Sequence, residues 1–148
     1  MQGWKRLFLN LENVFMKQQH SELILAIATD DGKHFITRHF GNAGMYLIYQ
    51  LDESGWTFRK KVMNTSTEEK MHADPVKAGS ITGILKEEGV QVLVSRAFGP
   101  NIKRMIQKFA CVLVSGGSIE QGLETLKMNY SVILERWKEG SGRAHLKI

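Results

Sequence analysis

Six consecutive apolar residues, Leu23 to Ala28, form a run that none in the chain exceeds, and Asp30-Asp31-Gly32 closes it with turn chemistry. A run this short, ended this abruptly, fits a strand buried on both faces. A helix would need roughly ten residues or more, and a membrane span about 20. Such a strand must lie inside a sheet with a layer on each side of it, and this restricts the fold more than any other feature.

The rest of the pattern supplies those neighbours. Residues 32–44 have no clear period and read as a loop. Met45 to Leu51 is a second strand, Asp52-Glu53-Ser54-Gly55 a turn, and Trp56 to Met63 the hairpin partner. Arg59, Lys60 and Lys61 suit an edge strand, where charge discourages pairing with other chains. Residues 64–75 are a polar connection ending in Asp74 as N-cap and Pro75 at the first helical position. That helix runs to about Glu88, and Gly89 supplies its left-handed cap. Val90 to Ser95 and Cys111 to Ser115 are further buried strands, separated by a helix that Gly99-Pro100 opens and that ends near Lys108. Ser118 and Gln121 form a capping box for a last helix, with Ile119, Leu123, Leu126, Tyr130, Ile133, Leu134 and Trp137 on its apolar face. This helix is either long or broken at Asn129, and the tail from Gly140 reads as loose. A hairpin followed by βαβα units gives an α/β sandwich with a mixed sheet, the first strand central.

Composition narrows the function classes. The 148 residues make one domain, and 43% hydrophobic against 24% charged is a globular balance. Cys111 is the single cysteine, which excludes a disulfide framework, a Cys-rich zinc site and a cluster held by several thiolates, and fits a cytoplasmic setting. The net charge of +5 falls short of a nucleic-acid footprint. Residues 1–22 read as an amphipathic helical extension, with Trp4, Leu7, Phe8, Leu11, Val14 and Phe15 on one stripe. It is expected to dock on the domain or on a second copy. A membrane-surface helix is the weaker reading, and Met16 is an alternative start.

No phosphate-binding loop, dinucleotide fingerprint, nucleophile elbow or zinc-protease pair is present. What remains is a polar set where the first strand ends: Asp30, Asp31, Lys33, His34, Arg38, His39 and Gly41. Open α/β sheets bind ligands outside the carboxyl ends of their parallel strands. The later loops open at the same end, with Gly99 and Gly116-Gly117 offering backbone donors to an anion.

Leu25-Ala26-Ile27-Ala28-Thr29-Asp30-Asp31-Gly32, His39-Phe40-Gly41-Asn42-Ala43 and Leu47-Ile48-Tyr49 resemble the dinitrogenase iron–molybdenum cofactor-binding domain family. So do Gly89 to Val94 with Gly99-Pro100, and Gly117 to Leu123, so that the resemblance covers residues 23–128 and leaves 129–148 as a helix end and tail. It implies a ribonuclease-H-like three-layer sandwich with a mixed five-stranded sheet, order 3-2-1-4-5, strand 2 antiparallel. It also implies a nitrogenase accessory-like protein that is not an enzyme, binding the iron–molybdenum cofactor or an iron–sulfur precursor cluster, with cluster donor or acceptor proteins as partners and a homo-oligomer as an option.

The family's cluster-linked histidine maps onto His39, the expected metal ligand. An imidazole suits the task where thiolates are nearly absent. Lys33 and Arg38 would meet the negative charge of the cluster, Arg38 in bidentate fashion. Phe40, Gly41 and Gly99 complete the expected contacts, and Gly41 and Gly44 let a bulky ligand approach the backbone. His72 is a candidate second ligand, though Ala73 follows it where the family often has glycine. The competing readings are a ligand-sensing or protein-interaction module without a cluster, and a metal-dependent hydrolase built on Asp30 and Asp31.

Overall fold

The computed structural model describes residues 22–65 and 75–148. Residues 1–21, His72 and the Asp74 cap lie outside the described residues. Six strands form one sheet: β1 (Leu23–Thr29), β2 (Met45–Asp52), β3 (Gly55–Met63), β4 (Val92–Ser95), β5 (Ala110–Leu113) and β6 (Leu146–Lys147). Four helices accompany them: α1 (Pro75–Glu87), α2 (Ile102–Lys108), α3 (Ile119–Met128) and α4 (Tyr130–Lys138). The strand order is β3-β2-β1-β4-β5-β6. β2 runs antiparallel to both neighbours, and β4, β5 and β6 follow β1 in parallel.

Alternation along β1 sets up the two outer layers. Leu23, Leu25 and Ile27 point into a core shared with Ile119, Leu123 and Leu126 of α3 and with Tyr130 and Ile133 of α4. Ala26 and Ala28 point to the other side, where Ile81 and Leu85 of α1 and Met105 of α2 close the second core. Local signals explain the element ends. Gly89, at φ +79°, ends α1 in a Schellman cap: its N–H donates to the Lys86 carbonyl, and the Val90 N–H donates to that of Leu85. The Gln121 N–H donates to Ser118 Oγ at 3.1 Å, capping α3. Asn129, at φ −104° and ψ 15°, separates α3 from α4, so the last apolar face belongs to two helices. Arg59, Lys60 and Lys61 are exposed on edge strand β3, as expected. A bulge there pairs Ile48 with Lys60 and Tyr49 with Phe58, leaving Arg59 as the extra residue.

The five-strand count and the loose tail are corrected: the end of the chain adds β6 to the sheet. Its two residues could not hold an edge alone, and the anchor is Arg143, buried beside them. Its guanidinium donates to the carbonyls of Arg136 and Trp137 on α4 and to that of Ile106 on α2. It also lies 4.9 Å from the centre of the Trp137 ring. Because α2 and α4 cover opposite faces, Arg143 ties the two helical layers together past β5. Leu146 and Ile148 then pack on the core, and the Ile148 N–H donates to the Leu113 carbonyl. Arg143→Ala would remove a donor from all three carbonyls and leave that of Ile106 without the one it has from Arg143, while the Glu139 N–H still reaches those on α4. We expect it to lower the unfolding free energy by about 1–3 kcal/mol. Urea denaturation checks this, and an unchanged midpoint would remove Arg143 from that role.

Candidate functional site

The connection from Asp30 to Gly44 is the longest between consecutive strands of the hairpin half, and it is fastened at several points. Thr29 Oγ1 donates to the His34 carbonyl at 2.6 Å and accepts from the Gly32 N–H. Asp31 accepts from the N–H groups of Lys33 and His34 and pairs with His34 Nδ1 at 2.7 Å. The Phe35 ring fills the space over Gly122 of α3, where a Cβ would stand 2.4 Å from the ring. The Phe35 N–H donates to the Gly117 carbonyl, and the Ile119 N–H donates to that of Lys33. Further on, His39 bridges Ala97, and the Phe40 N–H donates to the Ala97 carbonyl at 2.8 Å. The loop after β1 is thereby tied to the loop after β4.

Phe40 is fully buried, its ring stacked 5.4 Å from Phe98 and 4.9 Å from Tyr46. The Tyr46 hydroxyl donates to the Phe40 carbonyl. The role the structure gives Phe40 is to seat its neighbour, since its ring has no exposed face. His39 itself is exposed, and its imidazole lies directly on Gly99. A Cβ at residue 99 would come within 2.4 Å of Nδ1, and Gly99 holds φ +71°, so both sterics and backbone require glycine there. Nε2 is the ring nitrogen farther from Gly99. Neither ring nitrogen has a hydrogen-bond partner among the described residues.

The structure brings Arg38, His39, Phe40, Gly41 and Gly99 to one edge of the sheet but gives them different tasks. Arg38 makes a two-point pair with Asp30, Nη2 to Oδ1 at 2.9 Å and Nη1 to Oδ2 at 2.8 Å, and Nη2 also donates to the Asn42 carbonyl. The bidentate geometry expected toward a ligand is thus already turned onto a carboxylate. Asp30 also accepts from the Gly44 N–H at 2.8 Å. Gly41 lies in the short 3-10 turn Phe40–Asn42, and its carbonyl accepts from Asn64 Nδ2. A Cβ at Gly41 would meet open space, so the chain leaves room beside the turn there. Lys33 is exposed in the connection after β1, where its carbonyl accepts from the Ile119 N–H at the start of α3.

Two residues that the sequence reading did not single out stand at the same edge. Ser95, the last residue of β4, is fully buried, and its Oγ has no partner among the described residues. A buried hydroxyl in that state is uncommon and calls for a reason. Arg96 follows it, exposed, with its guanidinium over Gly116. The signal that could have found both was their place at the carboxyl end of a parallel strand.

The carboxylates are occupied in closing the loop. Arg38 beside Asp30 holds that carboxyl below the ordinary carboxylate range. The His34 imidazole, with backbone N–H groups of residues 33 and 34, does the same for Asp31. Burial pushes the Cys111 thiol up to about 12, so it stays protonated in the core. Among the described residues no three His, Cys, Asp or Glu side chains converge to hold a metal ion. The acid cluster a two-metal hydrolase needs is therefore missing from them, and so is a cage for a bare cation.

Because the folded pKa of Asp30 is depressed, its pair with Arg38 stabilises the loop above the ordinary carboxylate pKa. That support is lost as pH falls through the lowered value. In Arg38→Gln the Asp30 carboxyl should titrate at higher pH than in the wild-type chain. Carbon-detected NMR titration of the side chain reads this directly, and an unmoved titration would contradict the assignment.

The family model for dinitrogenase iron-molybdenum cofactor matches residues 21–129. A Methanocaldococcus jannaschii crystal structure described provisionally as a dinitrogenase is 16% identical, with a TM-score of 0.51 over 74% of this chain and 91% of that one. The crystal structure of PH0822 is 12% identical, with a TM-score of 0.57 over 72% of this chain and 92% of that one. At these identities the likeness shows the fold. Among curated proteins no sequence matches the chain. The matched segment holds β1 to β5 and the whole carboxyl edge with His39, and the chain belongs to the dinitrogenase iron-molybdenum cofactor family.

Proposed function

We propose that this protein binds and carries a preassembled anionic metal cluster of the iron–molybdenum or iron–sulfur type, as an accessory protein and not as an enzyme. The observation that carries the reading is His39: an exposed imidazole without a hydrogen-bond partner among the described residues, seated on a glycine that only a left-handed backbone allows. An imidazole placed this way offers a lone pair at little cost in reorganisation, because the Phe40 anchor fixes its backbone. His39 would be the protein ligand, and the open side of Gly41 would admit the bulk of the cluster. The cluster brings its own redox chemistry, and the chain's part is to hold and orient it.

Family membership supports the guest's class, and the donor set supports a guest that arrives assembled. The strand order, with β2 reversed, supports a ribonuclease-H-like sandwich. No described helix is long and apolar enough to cross a membrane, and a single buried thiol fits a reducing, cytoplasmic setting. Cluster donor and acceptor proteins would be its partners. We assign the apolar stripe of residues 1–22 to contacts with the domain or a second copy.

The test is anaerobic loading with isolated iron–molybdenum cofactor, followed by gel filtration and elemental analysis. The wild-type chain should retain molybdenum and iron in stoichiometric amount, and His39→Ala should lose both. Because His39 is exposed, its removal should shift stability by no more than about 0.5 kcal/mol. Equal retention by the two chains would overturn the reading. A wild-type chain that retains no metal but captures a protein partner would favour the interaction module.

A further inference from the structure

An anionic guest at the His39 edge needs a cation whose charge is not already spent. Among the described residues, four basic side chains besides His39 stand on the loops that form this edge. Arg38 is committed to Asp30 through both terminal nitrogens. His34 is committed to Asp31. Lys33 lies where the connection after β1 pairs with Ser118 and α3, its carbonyl accepting from the Ile119 N–H. Arg96 is the remaining one. Its guanidinium makes no hydrogen bond or ion pair among the described residues, and its neighbour Ala97 is the residue that pairs with His39.

The place of Arg96 is built as the place of His39 is built. Gly116, at φ +115°, lies under the guanidinium, and a Cβ there would stand 2.7 Å from Nε and 2.9 Å from Cζ. Gly99 lies under the imidazole in the same way. Two left-handed glycines, one in the loop after β4 and one in the loop after β5, thus each make room for one side chain of the edge. Holding a long side chain against backbone removes rotamer freedom before a ligand arrives, so less is lost on binding. The fork of an arginine matches the two oxygens of a carboxylate better than a lysine would.

From this juxtaposition we infer that Arg96 is the anion-recognition residue of the site: it meets the negative charge of the cluster, or of an organic acid bound to it, while His39 supplies the ligand bond. The inference rests on the cluster-carrier reading given above. It replaces Arg38 in the part the sequence suggested for it, and makes Arg38 a loop-closing residue.

The experiment is a titration of the full chain with isolated iron–molybdenum cofactor under anaerobic conditions, at low salt and at 1 M salt, comparing wild type, Arg96→Gln, Arg96→Lys and His39→Ala. Arg96 is exposed, so its variants should keep the wild-type circular dichroism. Arg96→Gln should bind about tenfold more weakly at low salt. That gap should close at high salt, where screening shortens the reach of charge to about 3 Å. Arg96→Lys should recover part of the loss, and His39→Ala should be weak at both salts. Gly116→Ala, which pushes the guanidinium off its seat, should behave as Arg96→Gln does. If His39→Ala loses binding while Arg96→Gln matches wild type at low salt, the role of Arg96 is refuted and the carrier reading stands. If Arg96→Gln is equally weak at both salts and Arg96→Lys recovers nothing, its charge is not what matters and the inference is overturned. If His39→Ala matches wild type, the carrier reading itself has failed.

Discussion

Phe40 lies wholly inside the protein between Phe98 and Tyr46, and its N–H and carbonyl are both used, by the Ala97 carbonyl and the Tyr46 hydroxyl. Burying one such ring contributes about 3 kcal/mol at most. Its larger consequence is positional. The residue before it, His39, leaves the core at a fixed point and angle, and Phe98 in the same stack fixes the loop that carries Gly99. Without this contact the connection from Asp30 to Gly44 would be a long polar loop with a histidine on it. With it, the imidazole and the glycine beneath it become one rigid unit at the carboxyl edge of the sheet.

The remaining fastenings divide the labour. Phe35 seats the first half of the loop on Gly122 of α3, and the Asp30–Arg38 pair with the Gly44 N–H closes its second half onto the end of β1. The acids next to the site are therefore used for loop closure, and the edge that faces outward carries an imidazole, a guanidinium and room beside Gly41. An edge of this composition supports the proposal of an anionic guest.

Much of this could be read from the sequence because the signals were local. The apolar run at Leu23–Ala28, the cap at Gly89, the cap at Ser118 and the charged edge at Arg59 to Lys61 each act within a few residues. The strands and helices follow from them. What could not be read depended on contacts across the chain. β6 exists because Arg143 reaches carbonyls on α2 and α4, and a lone arginine in a Gly-rich tail gives no hint of that. Arg38 and Arg96 are alike as letters, and only the folded loop shows that one meets Asp30 and the other does not. Phe40 in the His-Phe-Gly block reads as a contact residue because it stands beside His39. The alternation that would have marked it as core is broken in a loop without a period.

If an imidazole nitrogen of His39 bonds to the cluster, pulsed electron paramagnetic resonance of the loaded protein, prepared with 15N-labelled histidine, measures that bond as a nitrogen hyperfine coupling. The coupling should change with the label in the wild-type chain and be absent when His39 is replaced by glutamine. A loaded wild-type protein with no histidine nitrogen coupling, or one whose coupling persists in His39→Gln, would contradict that bond.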